Sequence, residues 1–205
     1  MLSVLRVSTL ATLFILVTSG LSFAQQLRDR ELRPAFDLTN IQMPVEILSI
    51  KLNGKEIQPG EKITGDDDWL QGLSFTMKNI SDKPIAYMEV GLKFSRPGAF
   101  VVYSLNYGVD YSRGESRRES SPPAIQPGQT LNLVLTKEKY PIFLSVLAQG
   151  GASRSSDTVS YSLNRVSFEG ESDVIWSGGN LMRRDSNRLD EFNVIERYVL
   201  PTKQN

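Results

Sequence analysis

Several stretches of this chain alternate strictly between apolar and polar residues, and a period of two permits little except β-strands. Ala86, Met88, Val90, Leu92 and Phe94 form one apolar comb, with Tyr87, Glu89 and Lys93 between its teeth. Leu73, Phe75 and Met77 alternate in the same way with Ser74, Thr76 and Lys78. A strand of this kind buries one face only, so a second layer must cover it. Val45 to Leu52, then Asn53-Gly54, then a return around Lys55 to Gln58 reads as a hairpin, because both turn residues tolerate positive φ. Further strands are expected at Phe100 to Tyr107, at Leu131 to Leu135 and at Val174 to Met182. From Val159 to Phe168 the parity slips once, as a β-bulge produces.

One segment breaks this pattern. Tyr140, Phe143, Leu144 and Leu147 recur at helical spacing, with Pro141 in the first turn and Gly150 placed to cap the end, so a short helix is expected over 140–149. Short strands separated by turn signals, with almost no helix, argue for a mainly β fold, an antiparallel sandwich or barrel. Residues 25–44 have neither period and read as an extended or mobile leader. The sandwich domain is expected over 45–182, and 183–205 reads as a polar tail without a structural assignment. Ser112 to Pro123 is too rich in Ser, Arg, Glu and Pro to pack and reads as a long surface loop.

Residues 1–24 have the parts of a signal peptide: the charge of Arg6, the apolar run Leu10 to Val17, and small residues at Ser22-Phe23-Ala24 for cleavage. An uncleaved anchor is the competing reading of Val7 to Ala24, but Thr12, Thr18, Ser19 and Gly20 dilute that stretch. The expectation is an exported protein, periplasmic or secreted, with no membrane insertion once the signal is removed. The chain contains no cysteine, so an exported form must hold together without disulfides, which suits a bacterial source. Absence of histidine and cysteine removes Ser-His-Asp and Cys-His nucleophiles and zinc sites built on imidazole or thiolate. No Gly-x-Ser-x-Gly elbow, Ser-x-x-Lys pair, Walker A loop or dinucleotide glycine fingerprint is present. The 23 basic and 23 acidic side chains balance, so nothing favours nucleic acid or an anionic membrane.

The run from Phe75 to Ile85, a strand followed by Asn79-Ile80-Ser81-Asp82-Lys83-Pro84, and the later Ile125-Gln126-Pro127-Gly128-Gln129-Thr130-Leu131 resemble paired signatures of bacterial extracytoplasmic immunoglobulin-like or fibronectin-III-like domains. Val166-Ser167-Phe168, Trp176-Ser177-Gly178-Gly179 and Arg183-Arg184-Asp185 resemble motifs of uncharacterised exported bacterial proteins. The resemblance implies an immunoglobulin-like β-sandwich and brings no catalytic residue with it.

Tyr103, Tyr107 and Tyr111 share one parity, and Arg113, Arg117 and Arg118 follow in the loop, so aromatic faces beside guanidinium groups offer a surface for a protein or a glycan. The competing reading sends the first tyrosines into the core and leaves the arginines as a solubilising loop. Asp66-Asp67-Asp68 is the densest acidic cluster, and Asp66 and Asp68 are the candidate oxygen ligands for Ca²⁺, although three adjacent carboxylates are too few alone and also suit a solvated turn. Asp185, Asn187 and Glu196 fall at the first, third and twelfth positions of an EF-hand spacing, but Leu189 and Asp190 stand where that loop needs a ligand and a glycine, so the segment does not read as an EF-hand. Trp176 with Gly178-Gly179 reads either as a ligand ledge or as a core residue beside a corner. The expected function is a non-enzymatic exported module that binds protein or glycan at the cell envelope or outside the cell, with no required cofactor. Two alternatives stand beside it: a carboxylate-dependent polysaccharide hydrolase drawing on Asp66, Asp68 or Glu89, and a structural assembly subunit.

Overall fold

The alternating stretches pair into two sheets that enclose one apolar core. The computed structural model describes residues 27–35, 43–188 and 190–197; the expected signal peptide, residues 1–24, lies outside them. The strands are β1 Arg28–Pro34, β2 Val45–Leu52, β3 Lys55–Ile57, β4 Lys62–Gly65, β5 Ser74–Asn79, β6 Ile85–Arg96, β7 Ala99–Gly108, β8 Thr130–Val134, β9 Thr158–Phe168, β10 Val174–Ser177, β11 Asn180–Arg184 and β12 Phe192–Arg197. One helix, α1, spans Tyr140–Gly150, and a 3₁₀ turn covers Tyr111–Arg113.

The smaller sheet runs β3-β2-β5-β8 and is antiparallel throughout. The larger sheet is mixed. Its centre is β9, which pairs along one edge with β6 and through it with β7. The other edge of β9 is shared: β1 lies parallel to its first half, with β4 beyond, and β10 lies antiparallel to its second half, followed by β11 and β12. Phe75, Met77 and Leu133 of the smaller sheet face Met88, Val90, Leu92, Tyr161 and Val166 of the larger, all buried. The Phe75 and Tyr161 rings meet across the interior at 5.4 Å.

Asn79 explains why the Asn-x-Ser-x-Lys-Pro stretch turns the chain between the sheets. Its buried amide donates to Lys83 O and to Ile125 O, both at 2.8 Å, and its carbonyl oxygen accepts from the N–H and hydroxyl of Ser81. The Asn79 backbone bonds Gln129 O at 2.9 Å and Gly128 N at 2.8 Å. The two sequence signatures therefore pack against each other, and one fully satisfied side chain joins them.

Helix α1 begins with Pro141 in its first turn and buries Tyr140, Phe143 and Leu147. Phe143 lies 5.5 Å from the Phe94 ring and 5.1 Å from the Tyr103 ring, which fixes the helix against the end of the sandwich beside β7. The cap is Gly151, at φ 70°, and not Gly150. Gly150 is the last helical residue, and its missing side chain admits Val101, whose Cγ2 would stand 2.5 Å from an added Cβ.

Other segments also differ from expectation. Part of the expected leader forms β1, because Arg30 and Leu32 are both buried although only one of them is apolar. The expected strand from Val174 to Met182 is a hairpin, with Gly178 and Gly179 at φ 56° and 84° supplying its turn. The polar segment after 183 contributes β12. The Asn53-Gly54 hairpin is as expected, at φ 49° and 80°. The expected bulge lies at Asn164, where the β6–β9 register shifts between Glu89 and Val90.

Candidate functional site

The outer face of the larger sheet carries a polar network where its inner face carries the core. Between the core teeth of β6 stand Tyr87, Glu89, Gly91 and Lys93, opposite Gly108, Asn106, Ser104 and Val102 of β7. Glu89 is the centre of the network. Its Oε1 accepts from Ser104 Oγ at 3.0 Å and Asn164 Nδ2 at 3.2 Å, and its Oε2 accepts from Tyr87 Oη at 3.0 Å. The bulge brings the Asn164 amide here, and Gly91 leaves it room, since an added Cβ would lie 2.3 Å from Asn164 Nδ2. Burial first, and then the Glu89 carboxylate, push the Tyr87 phenol up to about 12.

The loop after β7 folds back onto this face and is fastened there by Asp110. Asp110 is fully buried, accepts from the backbone N–H of Ser112 at 3.1 Å and from the Ser112 hydroxyl, and accepts from Arg165 Nη1 at 3.0 Å. Arg113 pairs with Asp110 at 3.3 Å and approaches Glu89 at 3.8 Å, so one guanidinium joins the two acids. Arg184 of β11 donates to Ser112 O. At the far end of the loop Arg117 pairs with Glu169 at 2.9 Å and donates to Pro122 O, while Ser121 Oγ accepts from Arg118 N–H at 2.8 Å. Residues 113–120 are exposed without interruption between these two anchors.

The structure separates the six residues expected to form one binding surface. Tyr103 is half-buried against Phe143, and burial raises its phenol pKa. Tyr107 donates to Pro123 O at 2.7 Å, and burial outweighs nearby Arg117 in raising its phenol pKa. Tyr111 is half-buried in the 3₁₀ turn. Arg113 and Arg117 fasten the loop, and Arg118 alone of the three arginines has no side-chain partner among the described residues. Inner-face parity turns Tyr103 away from the loop and under the helix, whereas the Tyr107 hydroxyl reaches the far end of the loop at Pro123, near Arg117. Asp110 and Arg165 were not singled out in the sequence. The spacing Asp110-x-Ser112 is that of a side chain bonding its own backbone two residues on, a turn signal that says nothing of burial.

The Asp66–Asp68 cluster is engaged from within the chain. Asp67 accepts from the buried Arg30 at 2.9 Å, Asp68 accepts from Tyr140 Oη at 3.2 Å with Arg154 at 3.6 Å, and Asp66 accepts the Asp68 N–H at 2.8 Å. Burial and then Asp68 raise the Tyr140 phenol pKa. Asp185 accepts from the N–H groups of Asn187 and Arg188 and from Asn193, and the Asn187 bond leads in lowering its carboxyl pKa. Among the described residues no three acidic side chains converge so as to hold a metal ion. Glu89 and the Asp66–Asp68 turn belong to separate networks, and both oxygens of Glu89 and of Asp110 are met by donors or cations. Trp176 is buried in the core, where together with Phe168 and Leu181 it also lines a recess of about 270 Å³. A recess of about 710 Å³ opens beside β2 and β3 and is lined by none of the candidate residues.

Comparison with protein-family models, with curated proteins and with solved structures gives no match.

Proposed function

We propose that this chain is an exported, non-enzymatic immunoglobulin-like module that binds a protein or glycan at the cell envelope or outside the cell, with loop 113–120 as its recognition element. The strand order supports the immunoglobulin-like reading. β2, β5 and β8 follow the order of strands A, B and E, and β7, β6, β9 and β10 follow C′, C, F and G. The parallel partner β1 and the added β3, β4, β11 and β12 are extensions of that plan.

The observation that carries the reading is the clamped loop. A continuous exposed segment is held at its base by a buried acid and two arginines, so little ordering remains to be done when a partner arrives. Arg118 supplies an outward charge that nothing in the described chain engages.

Cross-linking in the native host through a photoreactive residue at position 118, followed by mass spectrometry, tests the proposal. A reproducible protein adduct is expected; without one, a polysaccharide panel tests the glycan arm. Arg118→Ala should weaken the identified contact by about 5–50-fold. Asp110→Asn should weaken it as well while leaving Arg118 in place. No adduct and no glycan, or an affinity unmoved by both variants, overturns the assignment of the loop.

A further inference from the structure

We propose that two copies of this chain pair antiparallel through the free edge of β7, which continues the larger sheet across a two-fold axis. This surface is independent of loop 113–120. β7 bonds β6 on one side only, over ten residues in unbroken register. The other sheet edges, β3, β4, β8 and β12, are three to six residues long.

Proteins guard a free edge with charge, proline, a bulge or a cover, because its unpaired N–H and C=O groups template another strand. β7 reads Ala-Phe-Val-Val-Tyr-Ser-Leu-Asn-Tyr-Gly, with no charge and no proline, and its pairing shows no register shift. Helix α1 covers its inner-face residues Val101 and Tyr103. Phe100 and Val102, on the outer face, remain 56% and 38% exposed.

The hydrogen-bond ladder identifies the groups that are free. Val109 N–H donates to Ala86 O at 3.0 Å. Bonding alternates along an antiparallel pair, so the odd-numbered residues of β7 bond β6 and the N–H and C=O of Phe100, Val102, Ser104 and Asn106 point outward. No described group bonds them.

Self-complementarity commits the edge to a second copy. With the axis at Ser104, Val102 stands opposite Asn106 of the copy and Phe100 opposite Gly108, whose missing side chain leaves space for the ring. The sheet rows then match in charge. Lys93 flanks Val102 and Glu89 flanks Asn106, so each row crosses the axis from a cation to an acid. At the axis the facing side chains are Ser104 and, one strand in, Gly91, both small.

Sedimentation of the purified protein across concentrations from about 1 µM to 1 mM tests this, since it reads any dimer whose Kd lies in that range. A monomer–dimer equilibrium is expected. Val102→Pro removes an outward N–H and none of the bonds to β6, so it should give a monomer that melts as the parent does at concentrations where the parent is itself monomeric. Ser104→Cys places the only cysteine of the chain on the axis, where opposed Cα atoms about 5.5 Å apart permit a disulfide. An oxidised, cross-linked dimer is therefore expected even if the proline variant folds poorly. A monomer at every concentration, a dimer that survives Val102→Pro, or an edge occupied only by a different protein overturns the proposal.

Discussion

Arg30 is the side chain whose removal says most about how this fold is held. It is completely buried, and its Nη1 donates to Asp157 at 2.9 Å and to Ser155 O at 2.7 Å. Its Nη2 donates to Asp67 at 2.9 Å and its Nε to Gly65 O at 3.3 Å. Arg30→Met keeps the apolar stem and removes the cation. Removing one partner of a buried pair typically costs about 3–5 kcal/mol, because the other charge is left without compensation. Two features reduce that here. Asp157 is 60% exposed and can rehydrate, and Arg28 stands 3.8 Å from Asp67 and 4.0 Å from Asp157. The expected loss is therefore about 2–3 kcal/mol, or a melting temperature lower by about 5–10 °C for a domain of this size. Urea unfolding followed by the fluorescence of buried Trp69 and Trp176 measures it. Arg30→Lys should recover less than half, since an ammonium on one stem does not span Asp67, Asp157 and two carbonyls. A midpoint for Arg30→Met within about 0.5 kcal/mol of the parent would refute the claim that Arg30 fastens β1 to the sheet.

Two further outcomes follow from single positions. Gly108 sits at φ 91° with Ala86 O 1.8 Å from where a Cβ would be, so Gly108→Ala should cost at least about 2 kcal/mol by the same unfolding assay. The Tyr87 phenol, raised to about 12 by burial and by Glu89, stays protonated in the folded chain while the unfolded chain ionises near 10. Its contribution to stability is complete below pH 10 and is lost as pH rises through 12; Tyr87→Phe should flatten the fall of stability across that window in pH-dependent denaturation, and an unchanged slope would place the titration elsewhere.

The combs at Leu73–Met77 and Ala86–Phe94 are legible because every tooth is apolar and buried, while Ser74, Thr76, Lys78, Glu89 and Lys93 between them stay partly exposed. The helix was legible from four residues at helical spacing, three of which are buried. β1 was not, because one of its inward positions is Arg30, and a charge at a core position erases the period that a strand shows in sequence. The hairpin of β10 and β11 is hidden in the sequence because Gly178-Gly179 suits a corner or a ledge as well as the two-residue turn it makes between Ser177 and Asn180. For the loop, the sequence displayed tyrosines and arginines of suitable types, but it could not show which arginines point inward. Their partners, Glu89, Asp110 and Glu169, lie up to 52 residues away in the chain, and their pairing depends on the sheet register.

A chain without cysteine has to tie distant segments together by other means, and the two buried clamps do this. Arg30 joins β1 to residues 65 and 67 and to residues 155 and 157, and Asp110 joins the loop to β9 through Arg165. These spans are as long as those a disulfide closes, but the physics differs. A disulfide acts largely on the unfolded chain, by shortening the loops it can explore, whereas a charge clamp exists only in the folded state and leaves the unfolded chain unrestricted. Its contribution comes from charge-assisted hydrogen bonds formed where water is excluded, and the surrounding core supplies that exclusion. The clamps and the core are therefore coupled. Loosening the apolar packing around Leu32 should weaken the neighbouring clamp by admitting water, so part of what Arg30→Met removes is already lost in Leu32→Ala; the double variant should lose less stability than the two separate losses sum to, and a double-mutant cycle over Leu32 and Arg30 reads that coupling directly, with additivity refuting it.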